Sequence, residues 1–239
     1  MKKNKLLFVA IFLASVLFQI MHFQNHDNFY RFGFAIGLDN NAVGTDIALN
    51  LVYVIAPILF IVFYSSGSVY DMTDGYGKLL IIRNYSKTKL YLKMCLKNLI
   101  ISIAATAIQS VIYLCYNYGF PDVGMRAVNS LCMYAFILNA ILNLQGILEL
   151  IAPPHIVNII VFIFCFLSYY VVQNLPLYTD IMWIEMIVKV ILFPALLFGM
   201  QNGTVHNGSL YTIFLLVTLV LNFSAISIGI HRFKKTDIF

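Results

Sequence analysis

The sequence predicts an all-α integral membrane protein with six transmembrane helices and both termini in the cytosol. Three observations lead there. The chain of 239 residues is 61% hydrophobic and 10% charged, with a mean hydropathy of +0.87. Soluble domains carry about 25% charged residues, so one water-facing core cannot hide this much apolar surface. Six continuous apolar runs occupy residues 6–23, 47–66, 99–116, 127–148, 156–172 and 210–230. Each approaches the ~20 residues that a helix needs to cross a ~30 Å hydrocarbon layer, and none shows the alternation of a β-barrel strand. The third observation is charge. Six spans place Lys2, Lys3, Lys5, Lys78, Arg83, Lys87, Lys89, Lys93, Lys97, Arg232, Lys234 and Lys235 on one side and only Arg31, Arg126 and Lys189 on the other. That asymmetry obeys the positive-inside rule.

The first run follows three lysines like a secretory signal, but it is longer than a usual signal core. No small-x-small cleavage site follows it, so it is expected to stay as the first span. Residues 24–45 contain Phe29, Tyr30, Phe32 and Phe34 and suit a headgroup-level segment. Gly119-Phe-Pro-Asp122 makes a tight turn between the third and fourth spans. Pro153-Pro154 breaks the chain between the fourth and fifth. Residues 184–200 are interrupted by Glu185, Lys189 and Pro194. Treating them as a span would throw the basic tail to the outside. A re-entrant or interfacial helix before the sixth span is expected instead. The whole chain, 1–239, is then a single transmembrane domain.

The most informative segment joins the second and third spans, residues 67–98. Tyr76, Leu79, Leu80 and Arg83 share one helical face at i, i+3, i+4 and i+7. Gly75 and Gly77 before them allow a sharp turn. Four successive apolar residues, Leu79-Leu80-Ile81-Ile82, are out of place in a solvated loop and want a partner surface. Ser86 is a reasonable N-cap for a helix running from Lys87 into the third span. Lys89, Lys93 and Lys97, four apart, would form a cationic stripe along its cytosolic part.

This layout resembles the permease subunit of type-2 ATP-binding-cassette exporters, in the small bacterial peptide or bacteriocin form. Those permeases have six spans, cytosolic termini, a helical elbow between spans two and three and a re-entrant piece before the last span. The residues that carry the likeness are Asp71 or Asp74, Gly77, Leu79-Leu80, Ser86-Lys87 and Lys93, with the tail Phe233-Lys-Lys-Thr-Asp237-Ile-Phe239. Tyr85 stands where the family has proline, and the N-terminal interfacial helix is reduced to a few residues. The resemblance implies that the elbow is a coupling helix docked on a separate ATP-binding subunit, through Asp74, Gly77, Leu79, Leu80, Arg83, Ser86 and Lys87. It implies export of a peptide or amphipathic substrate, such as an antimicrobial peptide expelled for immunity, across a bacterial cell membrane. A second permease chain, the same or a sister, would complete the path.

The rest of the sequence is chemically quiet. It has no GxxxxGK[ST] loop, so ATP and magnesium are expected on the partner chain and no cofactor on this one. HExxH and GxSG spacings are absent, and an enzyme is not expected. Cys95, Cys115, Cys132 and Cys165 have no metal or CxxC spacing and read as small hydrophobes. The basic residues mark a membrane side, not a nucleic-acid face. Glu149, beside Pro153-Pro154, has three roles open to it: an interfacial charge, a partner of the elbow lysines, or a coupling carboxylate. Asn139, Asn143 and Gly146 share a face at i, i+4 and i+7, as amides that join helices do. A different class of function, a non-transporting immunity or sensor scaffold, would need neither ATP nor an intact elbow.

Overall fold

A computed structural model describes residues 5–23, 45–73, 86–116, 125–174, 182–198 and 208–235. Those residues are all-helical, with no strand among them. The order is α1 (Lys5–Phe23), α2 (Thr45–Ser65), α3 (Tyr70–Thr73), α4 (Lys87–Tyr116), α5 (Met125–Leu148), α6 (Pro154–Asn174), α7 (Met182–Ile191), a 3₁₀ segment (Phe193–Phe198) and α8 (Gly208–Lys235). Five stretches are long and apolar enough to cross a membrane: Val52–Thr73, Lys87–Cys115, Val128–Leu148, Pro154–Val172 and Thr212–Lys235. In α1 the apolar stretch is shorter, Leu6–Met21.

The helix α5 is the hub. It packs on α2, α4, α6, α8 and the 3₁₀ segment, and Ile137, Leu138, Ile141, Leu142 and Asn143 are all almost fully buried. A helix surrounded by others is apolar all round, with its polar groups paired inward. The outer helices show the reverse. Leu216, Val220 and Phe223 on α8 and Ile159 and Ile163 on α6 are exposed, as lipid-facing residues would be.

Local chemistry sets the helix ends. The Ser86 carbonyl accepts from Leu90 N–H, so α4 starts at Lys87, where the capping pattern places it. From there α4 runs without a break into the apolar part, 30 residues in all, or about 45 Å. Pro154 opens α6; proline suits a first helical position because its missing N–H is not needed there. Its neighbour Pro153 offers its carbonyl to Ile156 and Val157.

At 10 residues α7 spans about 15 Å, too short to cross. Its apolar side chains Trp183, Ile184, Ile187 and Ile191 are exposed, while Lys189 is buried. The 3₁₀ segment behind it is buried against α5 and α6 through Phe193, Leu196 and Leu197. The apolar side chains of α7 thus face outward, while the piece that follows is sunk into the core.

A second, smaller apolar cluster lies at the lysine-rich end. Val69 joins Leu90, Tyr91, Met94 and Cys95 of α4 and Phe233 of α8, with Met72, Leu150, Ile226 and Ile230 around them. Tyr91 and Phe233 rings stand 5.7 Å apart at 40°. Gly229 is required here, because a Cβ would coincide with the Tyr91 hydroxyl. Tyr91 is wholly buried and cannot swing aside. Gly229→Ala should therefore cost about 1–3 kcal/mol by overpacking. Thermal unfolding in detergent would read this, and Tyr91→Leu in the same chain should restore part of the loss.

Candidate functional site

The candidate site is the root of the elbow, where α2 ends and the chain turns toward α3. Gly67 ends the helix with φ 77°, a left-handed conformation that side chains disfavour. The chain then turns through residues 66–69 into α3, with Asp71 N–H bonded to Gly67 O and Thr73 N–H to Val69 O. The turn is buried, so its N–H groups need acceptors.

Glu149 supplies them. The Gly67 N–H donates to Glu149 Oε1 at 2.6 Å and the Val69 N–H to Oε2 at 3.1 Å. The side chain is 7% exposed, so it is not a solvated interfacial charge. Two forces oppose a carboxylate there: desolvation, and the negative end of the α5 dipole just behind it. Two backbone donors from the turn offset them. One residue just past the end of α5 thus holds the turn that leads into the elbow.

From Glu149 a chain of amides and hydroxyls runs into the bundle. Gln145 Nε2 donates to Val62 O and Asn158 Oδ1, both at 3.0 Å, and reaches Glu149 Oε1 at 3.5 Å. Asn158 Nδ2 donates to Ser66 Oγ at 3.0 Å. Next door, Ser65 Oγ donates to Asn98 Oδ1 at 3.1 Å. Asn98 Nδ2 lies 3.3 Å from Leu142 O and 3.2 Å from Asn143 Oδ1. Asn139 and Asn143 both donate to Asn222 Oδ1, at 2.7 and 3.3 Å. Asn222 Nδ2 in turn donates to Phe136 O at 3.1 Å and Thr218 O at 2.9 Å. Every one of these amides is buried. The network ties α2, α4, α5, α6 and α8 together from the elbow root inward.

Of the sequence-predicted site residues, Asp74, Gly77, Leu79, Leu80 and Arg83 lie outside the described residues. Asp71 lies on α3 and is exposed. Ser86 stands exposed just before α4. Lys87 opens the helix and its Nζ donates to the Lys234 carbonyl of α8 at 3.3 Å. Lys89, Lys93 and Lys97 are exposed along one side of α4. Tyr91, Met94, Asn98, Ser102 and Gln109 are buried on the other.

Asn98, Ser65 and Ser66 are the members that sequence reasoning overlooked. The signal was present for Asn98. It follows Tyr91 and Met94 at i+7 and i+4, opposite the lysine stripe, so helical periodicity turns it inward. Nothing in the sequence marks Gly67 and Val69 as the partners of Glu149, since the contact spans some 80 residues. Cys95 and Cys165 are buried free thiols, and Cys115 and Cys132 are exposed ones. No group of metal-binding side chains gathers among the described residues.

A family model described as a protein of unknown function, DUF2705, matches residues 7–239. The chain belongs to the DUF2705 family. No curated protein matches it, and neither does any solved structure. In this DUF2705 chain the match takes in all but the first two residues of α1 and every later helix, including the elbow root and α8.

Proposed function

We propose that this chain is the membrane-spanning subunit of an exporter driven by a separate ATP-binding subunit. In this reading α1, α2, α4, α5, α6 and α8 are six spans, the termini and the elbow face the cytosol, and the membrane is a bacterial cell membrane. The elbow, residues 74–85 with Ser86 and Lys87, docks on the ATP-binding subunit. The cargo is a peptide or another amphipathic compound, and a second permease chain forms the far wall of the path.

One observation carries the reading: the elbow is rooted at both ends in the bundle. Its first leg is held by Glu149 through Gly67 and Val69. Its return leg is packed through Leu90, Tyr91 and Met94 on Phe233 of α8 and bonded from Lys87 to Lys234. A push on residues between the two legs passes into α4, α5 and α8 together, because packed helices move as rigid bodies. A merely solvated loop has no use for buried anchors on both sides.

Purification in mild detergent from the native membrane tests this. An ATP-binding subunit should copurify, and its ATPase activity should depend on this chain. A chain that comes out with no such subunit, and that protects cells from a toxic peptide without ATP, would replace the exporter by an immunity scaffold.

A further inference from the structure

A cleft of about 200 Å³ opens between α1, α2 and α4. Its walls are apolar: Phe12 from α1, Phe60 from α2, and Ile101, Ala104 and Ile108 from α4. Ala104 and Ile108 are exposed, so the cleft opens on the surface of the bundle. Ile101 to Ile108 gives it a depth of about 10 Å along α4. Tyr64, the last but one residue of α2, lies at the end nearest the elbow root.

The same end is positively charged. Lys97 precedes Ile101, Ala104 and Ile108 by four, seven and eleven residues, so it shares their face of α4, and Lys93 lies one turn before it. Both are exposed. Helical side chains lean toward the helix N-terminus, so both lysines lean away from the apolar cleft toward the headgroup level, where long stems carry a charge to phosphate. In the sequence, Lys2, Lys3 and Lys5 precede Phe8 of the cleft wall by six, five and three residues.

We propose that the cleft holds an acyl chain of an anionic phospholipid from the lysine-rich leaflet, with Lys97 and Lys93 drawing its headgroup. Charge complementarity at one end and an apolar slot above it fit that amphiphile. A neutral lipid would use only the slot, and an acidic soluble ligand only the lysines. The inference needs the chain to sit in a bilayer; it stands apart from transport.

Tryptophan quenching tests it, since the chain has a single tryptophan. In a Trp183→Phe background, Phe60→Trp places the reporter in the cleft and Val220→Trp places one on the exposed face of α8. The full chain is reconstituted in phosphatidylcholine vesicles containing phosphatidylglycerol or phosphatidylcholine with brominated acyl chains. The cleft reporter should favour brominated phosphatidylglycerol by roughly five-fold for each lysine involved, and Lys97→Gln should remove most of that preference. The α8 reporter should respond to both lipids alike. Equal quenching of the cleft reporter by both lipids would overturn the proposal. So would no quenching by either, which would mean that a second copy or another protein segment fills the cleft. If Phe60→Trp fails to fold, Ile108→Trp at the exposed lip gives the same reading.

Discussion

Glu149→Ala should destabilise the protein by about 2–6 kcal/mol, because two buried backbone donors lose their acceptor together. The substitution leaves Gly67 N–H and Val69 N–H buried with no acceptor, and each orphaned donor costs about 1–3 kcal/mol. Glu149→Gln should cost less, because one amide oxygen can still accept while its NH₂ meets the second donor head-on. Glu149→Asp is shorter by a methylene and cannot reach both amides. Unfolding in mixed detergent micelles would give the order Ala, then Gln, below wild type. A solvated interfacial charge would instead change stability by no more than about 0.5 kcal/mol, and that result would remove Glu149 from the elbow root. Hydrogen exchange adds a second reading. Gly67 and Val69 amides should lose protection in Glu149→Ala before the centre of α5 does, because the turn opens locally.

Leu80→Asp, or Leu79→Asp beside it, should abolish ATP-coupled transport and leave the protein inserted and folded. In the proposed function these leucines fill a groove on the ATP-binding subunit. Burying a carboxylate there forfeits an apolar anchor and desolvates a charge. Loss of such an anchor costs about 2 kcal/mol or more, which weakens docking by roughly 30-fold. The two measurements are cargo uptake into inverted vesicles with the partner present, and copurification of that partner. Because Glu149 is buried in the protein and the proposed function gives Leu80 to the partner subunit, their variants should separate. Glu149→Ala should lower stability, whereas Leu80→Asp should break the complex at unchanged stability. Transport that survives Leu80→Asp would remove the elbow from the drive.

Much of this architecture is legible in the sequence. A mean hydropathy of +0.87 and continuous apolar runs leave helices as the only option, and the described residues are helical throughout. The start of α4 at Lys87 was legible because Ser86 offers a cap and the lysines at 89, 93 and 97 follow a helical period. Asn139 and Asn143 were legible as helix-joining amides, and both meet Asn222. Hydropathy alone would have placed this boundary differently, since the apolar run begins at residue 99 whereas the helix starts at Lys87. Hydropathy registers apolar side chains, not backbone hydrogen bonding, and does not by itself show where a helix starts.

Composition, periodicity and charge asymmetry are local or additive properties of a chain, so they determined the class, the helices and the lysine-rich side. Which residues meet was decided only by the fold. Glu149 bonds to backbone amides some 80 positions away, and Gly229 lies against a tyrosine far earlier in the chain. A backbone N–H carries no side-chain label, and a glycine looks alike whether it turns a chain or makes room for a ring. Those contacts exist because helices of fixed shape pack in one register, and that register is a property of the assembled bundle.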